Sequence, residues 1–138
     1  MSDIILGPDV YVNASVAQGS PPEHVARRVL VPGKKTKSSK WILDRIEGML
    51  SNIDAFKKEA VDQQMSTIAT LVDVVDEEER APDDWQAALV AAAKAAGLTR
   101  VVTDHPDLAD VAEADGVEFL STDAWLVETT TPPPPPGA

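Results

Sequence analysis

Apolar positions along the chain fall into short runs and helical stripes rather than one long period. Ile4, Ile5 and Leu6 form an unbroken apolar run closed by Gly7-Pro8, which predicts a strand buried on both faces. Val10, Val12, Ala14 and Val16 then alternate with other residues, and alternation alone predicts a second strand. Ser20-Pro21-Pro22-Glu23 is a helix start, with Ser as cap, Pro in the first turn and Glu at the capping-box position. Val25, Val29 and Leu30 lie on the inner face of that helix, which should end near Val31. The basic, polar segment GKKTKSSK at 33–40 reads as a loop, with Ser39 capping a helix from Lys40. Trp41, Ile42, Ile46, Met49 and Leu50 supply one apolar face to it. Phe56, Val61, Ile68, Leu71 and Val72 predict a longer helix, Asp73–Val75 a short strand, and DEEER at 76–80 an acidic connection. Pro82 to Ala96 predicts a helix with acids in its first turn, where the dipole favours them, and Gly97 as its stop. Val101 and Val102 make the next strand, Asp104 with Pro106 opens a short helix, and Val117–Leu120 is the last strand. A short terminal helix follows in STDAWL.

Helices alternating with short buried strands imply α/β architecture, a mostly parallel sheet covered by helices on both faces. At 138 residues the chain has room for one sizeable core. The domain is expected over residues 1–128. TTTPPPPPGA at 129–138 has no core-forming content and is expected to be a disordered, proline-rich tail, more a spacer than a ligand for a proline-binding module. The net charge of −11 argues against a duplex-binding surface over the whole molecule, since phosphate contacts need clustered Lys and Arg. With no cysteine there is neither a disulfide framework nor a thiolate site. The amino-terminal residues lack the pattern of a signal peptide, and no apolar run approaches the ~20 residues of a membrane span. A cytoplasmic protein is the expectation.

The stretch AAGLTRVVTDHPDLADVAEADGVEFLSTDAWL, together with IILGPDVYVNASVAQGSPPEHVARRVL at the start, resembles the PIN domain. That family is a three-layer α/β/α fold found in many small RNA-cutting enzymes. The resemblance covers roughly Ile4 to Leu126 and is poor from Val31 to Asp54. It makes the Val10–Val16 stretch a helix and implies pairing as a homodimer. It also implies acidic side chains at the carboxyl ends of the central strands, holding Mg²⁺ or Mn²⁺ to activate water and stabilise phosphoryl transfer. Matched position by position, those acids fall on Gly7, Arg45, Gln86 and His105. None is a carboxylate. The expectation is therefore a catalytically degenerate domain with no metal or other cofactor, acting as a binding, regulatory or structural module for a protein partner.

The competing expectation is a metal-dependent ribonuclease of the toxin type that uses displaced acids: Asp9, Asp84, Asp104 and Asp107. In a strand, a shift of two residues keeps the same face and moves the carboxylate by about 6.6 Å. Against this, Asp84 and Asp104 stand where helix caps belong, and Asp9 and Asp107 suit turns.

Arg27, Arg28, Lys34, Lys35, Lys37 and Lys40 put six of the 12 basic residues in one short segment. Lys34, Lys35, Lys37 and Lys40 are candidates for contact with an anionic partner; RNA is the less favoured occupant, because no aromatic residues are interleaved for base stacking. His24 and His105 have no helix-spaced companion, so zinc is not expected. His105 beside Arg45 would turn a cation site into an anion site if both faced one cleft. Trp41 and Trp85, each near a predicted helix start, are candidate binding residues; Trp125 reads as core.

Overall fold

In a computed structural model of the chain, residues 4–75 and 84–130 are described. The acidic connection at 76–80, Pro82, Asp83 and the proline run lie outside them. In chain order the elements are β1 (Ile5–Leu6), α1 (Pro8–Val16), α2 (Pro21–Val29), β2 (Thr36–Ser39), α3 (Lys40–Ser51), α4 (Lys58–Leu71), β3 (Val72–Val75), α5 (Trp85–Ala95), β4 (Arg100–Val102), a 3-10 turn (Pro106–Leu108), β5 (Glu113–Ala114), β6 (Val117–Leu120) and α6 (Thr122–Thr130). Four strands form a sheet in the order β1-β4-β6-β5; β2 and β3 form a separate parallel pair. β1 lies parallel to β4 with Ile5 opposite Val101, and β4 parallel to β6 with Val101 opposite Phe119. Only β5 runs antiparallel, against β6. The fold is thus α/β, with six α-helices and a mostly parallel four-stranded sheet among the described residues.

Ile4, Ile5, Leu6, Val101 and Val102 are fully buried, as continuous apolar runs lead one to expect of parallel strands covered on both faces. α5 packs its small face, Ala88, Leu89, Ala92 and Ala93, against β1, β4 and β6. Its Ala-rich sequence brings the helix close to the sheet, and the Leu98 N–H bonds back to the Ala93 carbonyl to close its end at Gly97, as expected. α3 buries Ile42, Ile46 and Leu50 at four-residue spacing, and the Ser39 side chain accepts from the Ile42 N–H at 3.2 Å, so the predicted cap forms. α2 packs on α1 and α6.

Several expectations need correction. The alternating valines Val10–Val16 lie in helix α1, whose first turn is so enclosed that Pro8 to Val12 are all buried. The GKKTKSSK segment is no simple loop, because Thr36–Ser39 is a strand paired in register with Val72–Val75. Its burial is of hydroxyls, with Thr36, Ser38 and Ser39 nearly inaccessible, and Thr36 Oγ1 donates to the Val29 carbonyl at 3.1 Å. The capping box of α2 is displaced by one residue. Ser20 Oγ donates to the Ala17 carbonyl instead of capping, and Glu23 accepts from the Gly19 N–H at 3.2 Å. α5 starts at Trp85 with Asp84 as its cap. α6 continues through Thr130, so Thr129 and Thr130 belong to a helix rather than to a tail. No helix among the described residues is long and apolar enough to cross a membrane.

Candidate functional site at the carboxyl ends of the strands

Parallel pairing brings the carboxyl ends of β1, β4 and β6 to one edge of the sheet. The ladder continues past the strands there: Gly7 N–H donates to Val102 O at 2.8 Å, and Thr103 N–H to Leu120 O at 2.9 Å. Asp9, in the first turn of α1, points back into this edge and is only 6% exposed. Its carboxylate accepts from Thr103 Oγ1 at 2.6 Å and from the Asp104 N–H at 2.7 Å. Asp104 in turn accepts from the N–H and the hydroxyl of Thr122 at 2.8 and 2.6 Å, holding the start of α6. The two displaced acids are thus consecutive members of one hydrogen-bonded chain linking α1, the end of β4 and α6. Burial pushes the Asp9 carboxyl above its ordinary value; the Thr103 hydroxyl and Asp104 N–H oppose that shift, and the Asp104 charge adds to it. Asp104 caps α6 rather than the 3-10 turn it was expected to start.

The remaining acids do not converge with this pair. Asp84 accepts from the Ala87 N–H at 3.0 Å as the cap of α5. Asp107 has an 86% exposed side chain, and its carboxylate lies 4.0 Å from His105 Nδ1. That contact is no ion pair while Nδ1 accepts from the Asp107 N–H at 3.1 Å, because an accepting nitrogen carries no proton. Among the described residues no three His, Asp or Glu side chains converge to hold a metal ion. Of the four displaced acids, Asp9 and Asp104 each accept two internal donors.

Gly7 explains why its place cannot simply hold an acid. A Cβ built there would stand 2.7 Å from Asp9 Oδ1 and 2.9 Å from both Cβ and Oγ1 of Thr103. Carbon atoms pack comfortably at about 3.5–4.0 Å, so any side chain at this position collides with the Asp9–Thr103 pair.

Of the other three positions singled out in the sequence, the structure joins Arg45 and His105 through aromatic rings. His105 stacks on Trp85 with ring centroids 4.0 Å apart; Trp85 meets Trp41 edge to face at 5.6 Å and 89°; the Arg45 guanidinium lies 5.3 Å from the Trp41 ring centre. Arg45 and His105 therefore sit at opposite ends of one column with both indoles between them and do not face one cleft; His105 instead packs on Trp85 and caps the 3-10 turn through Nδ1. The His105 N–H donates to Thr103 Oγ1 at 3.2 Å, tying the column to the carboxylate chain. The four column residues are partly buried, whereas Gln86 is exposed beside Trp85. A shallow groove of about 260 Å³ opens beside Trp41, lined also by Asp44, Arg45, Gly48, Met49 and Asn52. Thr103 and Thr122 are the polar partners that sequence reasoning missed; a threonine directly after a buried strand was the available signal for the first.

The basic island is less concentrated than its sequence. Lys37 stands opposite Asp73 across the β2–β3 ladder, bonded at 2.6 Å, and holds the Asp73 carboxyl below its ordinary value. Arg27 pairs with Glu23 at 2.7 Å. Lys34, Lys35 and Lys40 are exposed. Trp125 packs partly buried against the core. Comparison with protein-family models, curated proteins and solved structures gives no match.

Proposed function

We propose that this chain is a PIN-like domain of three α/β/α layers that acts by binding, as a structural or regulatory module, and does not cleave RNA. One observation carries the reading: at the edge where such a nuclease gathers its acids, Asp9 and Asp104 are spent on internal hydrogen bonds. Gly7 leaves no room for a third. A ring column ending in a guanidinium at one side and an imidazole at the other lies next to this edge. Partly buried indoles beside a guanidinium suit a protein contact, where Trp and Arg are enriched among the residues that dominate affinity. The exposed Lys34, Lys35 and Lys40 would steer an acidic partner, since the remainder of the chain repels one.

The rival is a ribonuclease using Asp9, Asp84, Asp104 and Asp107. Incubation with mixed-sequence single-stranded RNA separates the two, with Mg²⁺ or Mn²⁺ added and with metal chelated. The expected result is no metal-stimulated cleavage. Cleavage that needs the metal and disappears in Asp107→Asn would establish the enzyme, and that exposed residue is chosen because its loss leaves the buried hydrogen bonds intact.

A further inference from the structure

We propose that the groove between α1, α2 and α4 receives a short acidic, amphipathic segment of a partner protein, its apolar side chains in the groove and its carboxylates at Arg27 and Lys34. The inference rests on the reading that the domain works by binding, and it names a surface and the chemistry of the partner.

The groove follows from how the helices pack. α2 lies on α1 and α6, whereas α4 lies on α3 and β3, and the seam left between α2 and α4 is lined by α1 as well. Its volume is about 230 Å³, and Ala14, Ala26, Leu30, Ile68 and Leu71 make its apolar walls. At about 30 Å³ for each group the size of a water, roughly eight non-hydrogen groups fill it, below the usual ~300–1,000 Å³ of a small-molecule site. That is room for one large or two branched side chains. The apolar surface also continues past the groove. Val16 follows Ser15 and Val31 follows Leu30, and they are two of the four large apolar side chains exposed among the described residues, at 48% and 37%. A ligand confined to the groove leaves both valines in water, whereas a peptide is long enough to cover them. Gln64 gives such a chain a fixed polar point. Its amide donates to Ser15 Oγ at 2.9 Å, Ser15 Oγ donates to the Tyr11 carbonyl at 3.0 Å, and the Gln64 carbonyl oxygen is left to accept a backbone N–H.

Charge selects the sign of the partner. Among the described residues of the lining Glu23 is the one acid, and its carboxylate is already engaged. It accepts from the Gly19 N–H at 3.2 Å and from Arg27 Nε and Nη2 at 2.7 and 3.1 Å. Arg27 lines the same groove with a side chain 72% exposed, and its Nη1 has no partner among the described residues. Lys34 stands at the Leu30 end, its N–H bonded to the Val31 carbonyl at 3.1 Å and its exposed ammonium likewise unpaired among them. Two cations against one engaged carboxylate make this groove locally positive on a chain of net charge −11, the complement of an acidic segment.

Selection of short random peptides, displayed on phage, against the immobilised full chain tests this. Enriched peptides are expected to combine large apolar residues with a surplus of Asp and Glu, and each, synthesised and labelled, should bind saturably in fluorescence anisotropy. The field of the whole molecule works the other way, because an acidic chain attracts basic peptides, so an acidic consensus requires a local basic surface. Thr67→Arg fills the groove from an exposed position on its α4 wall while adding positive charge, so its expected loss of at least about tenfold in affinity reports obstruction alone. Lys34→Glu should weaken binding at least about threefold and flatten its salt dependence. Both changes are at exposed residues, and an unchanged urea midpoint shows that the variants are folded. No enrichment, a basic consensus, or binding indifferent to Thr67→Arg overturns the proposal. So does self-association of the full chain that Thr67→Arg abolishes, which would put a second copy in the groove. Peptides that depend on Trp41 and not on Thr67 would keep the binding reading and overturn the groove, whereas metal-stimulated RNA cleavage by the same protein would overturn the binding reading itself.

Discussion

Replacing Gly7 with alanine tests the central steric claim. The backbone at Gly7, φ −67° and ψ 157°, is ordinary extended geometry that alanine adopts freely, so no conformational strain enters. Restricting the unfolded chain should even favour alanine by about 0.4–1 kcal/mol. Opposing this are three contacts at 2.7–2.9 Å with groups that cannot move independently. Thr103 is fixed through its N–H to Leu120 and its hydroxyl to Asp9, and Asp9 is held by the Asp104 N–H as well. Relief requires either opening the β1–β4 edge or breaking the Asp9–Thr103 bond. Overpacking of this kind costs about 1–3 kcal/mol, and a buried hydrogen bond to a charged group about 1.5–3 kcal/mol. The two costs are alternatives rather than a sum, so the net loss should be about 1–3 kcal/mol. With a urea slope of about 1–3 kcal/mol per molar, the unfolding midpoint should fall by roughly 1 M. Gly48→Ala is the control: mid-helix and unobstructed, it should raise stability by about 0.5–1 kcal/mol. If Gly7→Ala is as stable as the parent chain, or less harmful than Gly48→Ala, the steric argument is wrong. Gly7→Asp adds bulk at the same point, so reinstating an acid there should destabilise the domain at least as much as alanine does.

Three further outcomes are expected. Asp9, its folded pKa raised by burial, stabilises the fold most below its unfolded pKa and loses that contribution as pH rises through the folded value. Its carboxyl carbon, followed by NMR, should titrate above 3.8 and higher still in Thr103→Val; a midpoint at or below 3.8 would refute the assignment. The hydroxyls of Tyr11 and Ser38 are buried without a well-formed hydrogen bond, although the two side chains are neighbours, and burial pushes the Tyr11 phenol up. Removing both in Tyr11→Phe with Ser38→Ala should leave stability within about 1 kcal/mol or improve it, and a loss above about 2 kcal/mol in thermal or urea unfolding would mean that they are paired. A chain ending at Thr130 should unfold at the same midpoint as the full chain at low micromolar concentration, whereas ending it at Glu128 removes the Arg28–Thr129 contact and should fray α6, seen as lost amide protection there.

Sequence periodicity makes legible the elements whose burial is apolar. β1, β4, β6, α3 and α5 all announce themselves through Ile, Leu, Val and Ala, and the Ser39 cap and Gly97 stop bound two of them. β2 escapes because its inward residues are Thr36, Ser38 and Ser39; a strand that buries hydroxyls has no hydrophobic signature. β5 was signalled by Asp115-Gly116, both at positive φ, the usual two-residue hairpin turn, but two residues of strand are too short for any period to show. At the site, the four non-carboxylate positions are readable residue by residue. That Asp9 takes the Thr103 hydroxyl, or that Trp85 lies between Trp41 and His105, depends on contacts across many tens of residues, to which local pattern is blind.

The pairing of β1 with β4 also orders events in time. Ile5 and Leu6 hydrogen-bond beside Val101 and Val102, and Asp9 finds its donors at Thr103 and Asp104, nearly a hundred residues later in the chain. During synthesis β1 therefore waits, apolar and without its partner, until β4 has also left the ribosome. Contacts of such long sequence separation close slowly because the loop entropy is lost before they form. β1 is then an apolar segment exposed to aggregation while it waits, and the domain completes itself only when β4 and β6 arrive.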